Sequence, residues 1–248
     1  MQKIGVIILA AGKGTRMNSE IPKVCFELAG KSLIQRVVNT AIQLNSEKIG
    51  VVVGYKKEIV IEAVQNHPNI SFITQENQNG TGDAVKSAKD YFNDFHGVVF
   101  ILCGDVPLLK AETLQSMLQK HLETKAICTI LTMILEDPDK YGRIVRDTNG
   151  NIKEITEYKD ASEEIRNIKE INTGIYGFDR GELFDALDKI DNNNAQKEYY
   201  LTDVVKILHS QNKTIESIEL KDITEAAGVN SQAQLAELEK EHYKTHRD

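Results

Sequence analysis

Ile4-Gly5-Val6-Ile7-Ile8-Leu9-Ala10-Ala11-Gly12-Lys13-Gly14-Thr15-Arg16-Met17 begins as an aliphatic, largely β-branched run and ends in two glycines and two cations. An apolar run this short, bounded by glycine, predicts a buried strand over residues 4–9. Strands buried on both faces belong to parallel sheets covered by helices. The residues that follow leave the strand at its carboxyl end, where open α/β sheets bind ligands. Small side chains and glycines let the backbone approach a phosphate chain with its N–H groups turned toward it. Lys13 and Arg16 add positive charge, and arginine can grip two phosphate oxygens at once. Pro22-Lys23 then sets the exit of the loop and brings in a further cation. Two familiar phosphate loops are excluded. A dinucleotide fingerprint needs a third glycine where Met17 stands, and a Walker A loop ending at Gly30-Lys31-Ser32 needs glycine at Cys25.

Outward from this loop, short apolar runs alternate with amphipathic segments. Residues 32–44 have helical periodicity, with Leu33, Val37, Val38, Ala41 and Leu44 on one face. Strands are predicted over 49–53, 70–73, 98–102 and 127–134, and helices over 57–65, 82–92 and 111–123. Repeated βα units of this kind predict a mostly parallel sheet with helices on both faces. After residue 140 the pattern changes. Alternating strands at 143–147 and 152–158 flank Asn149-Gly150, a strong hairpin signal. A strand over 171–178, helices over 182–190 and 202–210, a strand over 214–219 and a charged helix over 231–244 complete the chain. The expected architecture is α/β: a mostly parallel mixed sheet, Rossmann-like, with a hairpin-containing lobe. Residues 1–230 read as one unit, 1–110 mainly holding nucleotide and 111–230 mainly a sugar-binding lobe, with 231–248 a charged helical tail.

Composition narrows the function. A chain of 248 residues with 41% apolar residues can bury a sizeable core, and its formal net charge of −7 argues against sequence-independent nucleic-acid binding. An anionic substrate remains open, since local cations can hold phosphate inside an acidic protein. Cys25, Cys103 and Cys128 have neither metal-ligand nor redox spacing, so reduced thiols in a cytosol are expected. His242 and His246 share a face of the polar tail and read as solvated. Residues 4–11 are too short to span a bilayer and lack the flanks of a signal peptide. A soluble cytoplasmic protein with no membrane partner follows as the expectation.

The run from Leu9 to Lys23 resembles the signature of the sugar-phosphate nucleotidyltransferases, and later motifs arrive in a consistent order. Gln75 precedes Gly80-Thr81-Gly82-Asp83-Ala84, and Cys103-Gly104-Asp105-Val106-Pro107-Leu108 ends the fourth main strand. Gly142-Arg143-Ile144 opens the hairpin, and Glu157 with Lys159-Asp160-Ala161 closes it. Glu170-Ile171-Asn172-Thr173-Gly174, Tyr199-Tyr200-Leu201-Thr202-Asp203 and Gly228-Val229-Asn230 follow. From Ile4 to about Leu238 the chain resembles the uridylyltransferase domain of the bacterial bifunctional N-acetylglucosamine-1-phosphate uridylyltransferases.

That resemblance implies UTP and a sugar-1-phosphate as substrates, Mg²⁺ as cofactor, and direct attack on the α-phosphate with no enzyme nucleophile. It implies that Leu9, Ala10, Ala11 and Gly12 meet the nucleotide through backbone groups, with Gln75, Gly80 and Thr81 holding the base. Arg16 and Lys23 become the catalytic cations, and Asp105 and Asn230 the metal ligands. Gly104, Gly142, Glu157, Asn172 and Thr202 become substrate contacts. From the residues alone, Asp105 at a strand's carboxyl end suits a metal ligand. Asn230 alone reads as a turn or helix-cap residue, and Tyr199-Tyr200 as packing.

The chain departs from the family at three places. Many relatives have histidine where Asp83 stands, so the resemblance implies no role for it. Cys25-Phe26 replaces a commoner Leu-His. The hexapeptide repeats of the acetyltransferase β-helix do not occur, so no acetyltransferase activity is expected. A monomer or weak homo-oligomer follows, since relatives trimerise largely through that β-helix. Another sugar-1-phosphate, such as glucose or N-acetylgalactosamine, stays open, as does a nucleotide-sugar-binding protein without turnover.

Overall fold

The structure, a computed structural model, describes residues 2–17 and 19–245; the last three residues of the expected tail, His246 among them, lie outside the described residues. In chain order the strands are β1 (Ile4–Ala10), β2 (Glu27–Leu28), β3 (Lys31–Ser32), β4 (Lys48–Val53), β5 (Ile70–Thr74), β6 (Val98–Cys103), β7 (Cys128–Ile134), β8 (Arg143–Arg146), β9 (Ile152–Thr156), β10 (Glu170–Asp179) and β11 (Ile215–Glu219). The helices are α1 (Leu33–Gln43), α2 (Lys57–Glu62), α3 (Thr81–Lys86), α4 (Ala111–Glu123), α5 (Glu163–Arg166), α6 (Arg180–Leu187), α7 (Asp203–Ser210) and α8 (Gln232–Thr245).

The apolar run that opens the chain is the middle of the sheet. β1 pairs in parallel with β4 on one side and β6 on the other. Its side chains alternate between two cores: Val6, Ile8 and Ala10 face one, and Ile7 faces the other. Because both faces are covered, the strand has no polar side, which is why its sequence does not alternate. The strand order is β11-β7-β10-β6-β1-β4-β5, with β8 and β9 branching from β10. β10 lies between β6 and β7 and is antiparallel to both. The sheet is thus mixed and mostly parallel, as expected, with the later part of the chain threaded into its middle.

Local chemistry accounts for the ends of several elements. Ser32 caps α1 by accepting from Gln35 N at 3.2 Å. Asp179 caps α6 by accepting from Glu182 N at 3.1 Å, so that helix spans Arg180–Leu187 instead of 182–190. The hairpin turn forms as predicted, with Gly150 at φ +84° and the Asp147 carboxylate accepting from Asn149 N and Asn151 N. The helix expected over 82–92 stops at Lys86 and continues as tight turns, with Ala88 N bonding Val85 O and Phe95 N bonding Phe92 O. These turns carry Phe92 and Phe95, edge to face at 5.6 Å, beneath β1. A Cβ on Gly5 would lie 2.6 Å from the Phe92 ring, so tertiary packing overrides helix continuation there. A third small core of Met17, Leu28, Leu33, Val229 and Leu238 pins α8 against the glycine-rich loop.

Candidate active site

The loop after β1 is held open from both ends. Met17 is buried in the third core, and Met17 N closes a turn on Gly14 O at 3.0 Å. Gly14 sits at φ +62°, and a Cβ there would lie 2.5 Å from Lys23 Cβ. Glycine is therefore required for Lys23 to pass under the loop. Gly12 differs: nothing lies within 4 Å of the position its Cβ would take, so its backbone faces open space. Lys13 turns away over the Tyr55 ring, 5.5 Å from its centroid.

Lys23 follows Pro22 into a single 3-10 turn and crosses to the carboxyl end of β6. Its ammonium donates to the Asp105 carboxylate and to Asn230 Oδ1 at 2.9 Å, while Arg16 Nη2 donates to that same Asn230 oxygen at 2.9 Å. Asp105 is aimed by a tight turn: Gly104 N bonds Leu9 O at 2.9 Å, and Val106 N bonds Cys103 O at 3.1 Å. A Cβ on Gly104 would lie 2.9 Å from Leu9 O, so Gly104 is a close-packing residue between β6 and β1. Asn230 arrives because Val229 is buried in the third core and its N–H bonds Asp105 O at 2.9 Å. Asn230 does not cap α8; Ser231 Oγ does, accepting from Gln234 N at 3.2 Å. Four residues expected to act together, Arg16 and Lys23 near the N-terminus, Asp105 toward the middle of the chain and Asn230 near its C-terminal end, thus share one network.

Leu9, Ala10, Ala11, Gly12, Lys23, Gln75, Gly80, Thr81 and Asp105 line one cavity of about 410 Å³. Gln75 is buried, and its Nε2 donates to Gly80 O at 3.2 Å and to Asp83 Oδ2 at 2.7 Å. Gly80, at φ +115°, packs so closely on Tyr199 that a Cβ would meet Tyr199 O at 2.6 Å. Tyr199 N bonds Asn79 O, Gly82 N bonds Tyr199 O, and Thr81 Oγ1 accepts from Leu201 N. The loop at the base of the cavity is thereby stitched to residues 199–201. Sequence reasoning missed Gln78, Cys103 and Glu198 in this cavity, and Asp83 behind it. The only sequence signal for Glu198 was its place beside Tyr199-Tyr200, and for Asp83 its place beside Gly80-Thr81.

Of the five expected substrate contacts none lines that cavity, and Gly142, Glu157, Asn172 and Thr202 lie apart from it. Asn172 N bonds Gly142 O at 2.9 Å, Asn172 Nδ2 donates to Tyr176 OH at 2.6 Å, and Asn172 Oδ1 accepts from Gly174 N at 3.1 Å. This knot sits on the bulge of β10 between Asn172 and Tyr176. Thr202 Oγ1 donates to Glu157 Oε1 at 3.2 Å. Burial raises the Glu157 carboxyl above its ordinary value against that bond, and Asp160, Asp203 and Glu198 nearby raise it further. Glu157 and Tyr200 line a second cavity of about 430 Å³, and Tyr200 OH donates to Asp160 Oδ2 at 3.1 Å. Burial pushes the Cys103 thiol up to about 12 and Cys25 to about 11, so neither supplies a thiolate nucleophile at neutral pH.

The sequence profile of the nucleotidyl transferase family matches residues 5–224. The chain belongs to the nucleotidyl transferase family. It is 48% identical over 240 residues to the bifunctional protein GlmU of Geobacillus sp. (strain WCH70), covering 97% of this chain and 52% of that protein. It is 43% identical over 239 residues to the bifunctional protein GlmU of Bacillus subtilis (strain 168), covering 96% and 52%. The chain therefore spans about half the length of the curated relatives it matches. Its fold superposes on UDP-glucose pyrophosphorylase complexed with UDP-glucose with a TM-score of 0.78 at 20% identity, covering 99% of this chain and 100% of the other. The sequence-derived fold and the resemblance to the uridylyltransferase domain both agree with these likenesses.

Among the described residues no cluster of three or more His, Cys, Asp or Glu side chains is placed to hold a metal alone. Asp105 Oδ2 and Asn230 Oδ1 nevertheless converge on one ammonium, which puts two hard oxygens at one point in space. Mg²⁺ is commonly held by one or two protein oxygens and completes its shell with substrate phosphates and water, so the pair fits it. No helix among the described residues is long and apolar enough to cross a membrane.

Proposed function

We propose that this nucleotidyl transferase joins UTP to N-acetylglucosamine-1-phosphate, forming UDP-N-acetylglucosamine and pyrophosphate. The observation that carries the reading is the convergence of Arg16, Lys23, Asp105 and Asn230 beside the cavity lined by Leu9–Gly12, Gln75, Gly80 and Thr81. The choice of sugar is supported by the sequence resemblance and by the 43–48% identity to the GlmU proteins.

In this reading an oxygen of the sugar phosphate attacks the α-phosphorus of UTP, the bond from that phosphorus to the bridging oxygen breaks, and pyrophosphate leaves. The sugar phosphate is already an oxyanion at neutral pH, so no side chain has to activate it. The backbone of Leu9–Gly12 lies along the nucleotide, and Gln75, Gly80 and Thr81 hold its base. Lys23 and Arg16 neutralise charge that builds up on the phosphates as the bond breaks. Mg²⁺ held by Asp105 and Asn230 would align the phosphates and share that charge. Gly142, Glu157, Asn172 and Thr202 contact the sugar and its N-acetyl group, and Gly104, between β6 and β1, is a further substrate contact. Residues 1–110 serve mainly the nucleotide and 111–230 mainly the sugar, in a cytoplasmic monomer or weak homo-oligomer that sedimentation would distinguish.

Pyrophosphate release with Mg²⁺, using UTP and CTP against a panel of sugar-1-phosphates, tests the reading. The expected result is turnover with UTP and N-acetylglucosamine-1-phosphate above all other pairs. No release with any UTP pair overturns the enzyme, and preference for glucose-1-phosphate overturns the sugar.

A further inference from the structure

Asp83 lies in the first turn of α3, and its carboxylate reaches back to the buried amide of Gln75. One Nε2 hydrogen of Gln75 goes to Asp83 Oδ2 at 2.7 Å and the other to Gly80 O at 3.2 Å. A carboxylate and a carbonyl can only accept, so both partners demand the amino end of the amide. Flipping the amide would set its oxygen against two acceptor oxygens and leave the NH₂ unmatched. Gln75 Oε1 has no hydrogen-bond partner among the described residues. It is also absent from the sealed, partnerless side-chain atoms, which among the described residues are Ser46 Oγ and Arg180 Nη2. That oxygen therefore opens on the cavity Gln75 lines.

We infer that Asp83 is a positioning residue that fixes the Gln75 amide with its oxygen toward the nucleobase, so that the cavity selects a base with an N–H there. The inference rests on the reading of this cavity as a nucleotide site. Uracil carries a hydrogen on N3 and meets an acceptor favourably. Cytosine carries a lone pair on N3, which would face another lone pair across the contact. Cytosine can offer Oε1 only its exocyclic amine, one position along the edge, which displaces the base. A hydrogen-bond mismatch of this kind discriminates more strongly than an apolar contact.

Calorimetric binding of UTP and of CTP to the full chain with Mg²⁺ measures this selection without turnover. The wild type is expected to favour UTP. Asp83→Ala, which frees the amide to flip, should lower the UTP-to-CTP affinity ratio about tenfold, the scale of one hydrogen bond to a charged group, mainly through weaker UTP binding. Asp83→Asn keeps an acceptor oxygen without the charge and should fall between the two. If both nucleotides weaken in parallel and the ratio holds, Asp83 merely supports the loop and the inference is wrong. A wild type that binds UTP and CTP equally also overturns it, while leaving the pyrophosphate-release reading intact; a wild type that binds neither overturns both.

Discussion

At the cavity proposed to hold nucleotide, the site is built from backbone and from side chains that reach across the chain. On the expected sugar side, Gly142, Glu157, Asn172 and Thr202 are hydrogen-bonded to one another and to Gly174 and Tyr176. The first region keeps a free acceptor on Gln75 and a bare backbone at Gly12, where glycines and a buried Met17 hold the loop in place. The second satisfies its polar groups internally, since a buried unpaired donor or acceptor costs about 1–3 kcal/mol. Under the proposed function a sugar would exchange its hydroxyls for bonds already made, and phosphates would likewise displace Asp105 and Asn230 from Lys23 and Arg16, while the base would meet a free acceptor on Gln75. Substitutions on the nucleotide side should separate function from stability, and those on the sugar side should move both.

The largest effect is expected from Asp105→Asn, which removes the charge paired with Lys23 and, under the proposed function, a ligand of the metal. Turnover should fall about a hundredfold or more, the scale of losing one electrostatic stabiliser, with the unfolding midpoint little changed. Near-normal pyrophosphate release would remove Asp105 from the chemistry. Next comes Gly14→Ala, which combines φ +62° with a Cβ 2.5 Å from Lys23 Cβ. Denaturant unfolding should show a loss of about 2 kcal/mol, whereas Gly12→Ala, with open space around it, should cost under about 0.5 kcal/mol and weaken UTP binding instead. Equal costs at the two glycines would erase the contrast between a structural and an access role.

On the sugar side, Asn172→Ala strands Tyr176 OH and Gly174 N inside the β10 bulge. It should cost about 1 to 2 kcal/mol of stability together with activity, and an inactive variant of unchanged stability would contradict the internal knot. The smallest effect concerns pH. Burial raises the Glu157 carboxyl above its ordinary 4.5, so its ionised form costs stability in the folded state. Its favourable contribution is full below about 4.5 and is lost as pH rises through the raised folded value. Glu157→Gln is never charged, so it should unfold at a higher temperature than wild type at neutral pH, with the gap closing as pH falls toward 4.5. A gap independent of pH would trace to the Thr202 bond instead.

Much of the fold was legible because parallel βα units write themselves locally: β1, β4, β5 and β6 each read as an apolar run, and the predicted α1 and α4 hold. The end of α3 at Lys86 was not legible, because the pull of Phe92 and Phe95 toward Gly5 is a long-range contact with no trace in helical periodicity. The place of β10 between β6 and β7 was hidden for the same reason: an apolar strand does not say which neighbours it pairs with. Among candidate site residues, the family resemblance pointed to Gln75, Gly80 and Thr81 as a group, and the structure brings them to one cavity. Asp83 escaped because its importance lies in a contact eight positions back, visible only once α3 turns its first residues toward Gln75.

By itself, the sequence determined that residues 4–17 make a buried strand followed by a phosphate-suited loop, since composition and glycine placement act over a few residues. It also determined the nucleotidyl transferase family, because the motifs recur in order along the whole chain. Only the tertiary structure decided that Lys23, Asp105 and Asn230 meet, 82 and 207 residues apart along the chain. It alone decided which glycines carry conformation and which carry access, because that depends on what lies across the space where a Cβ would go. Local preference is written in neighbouring residues, whereas a site is a set of distances between elements that packing brings together.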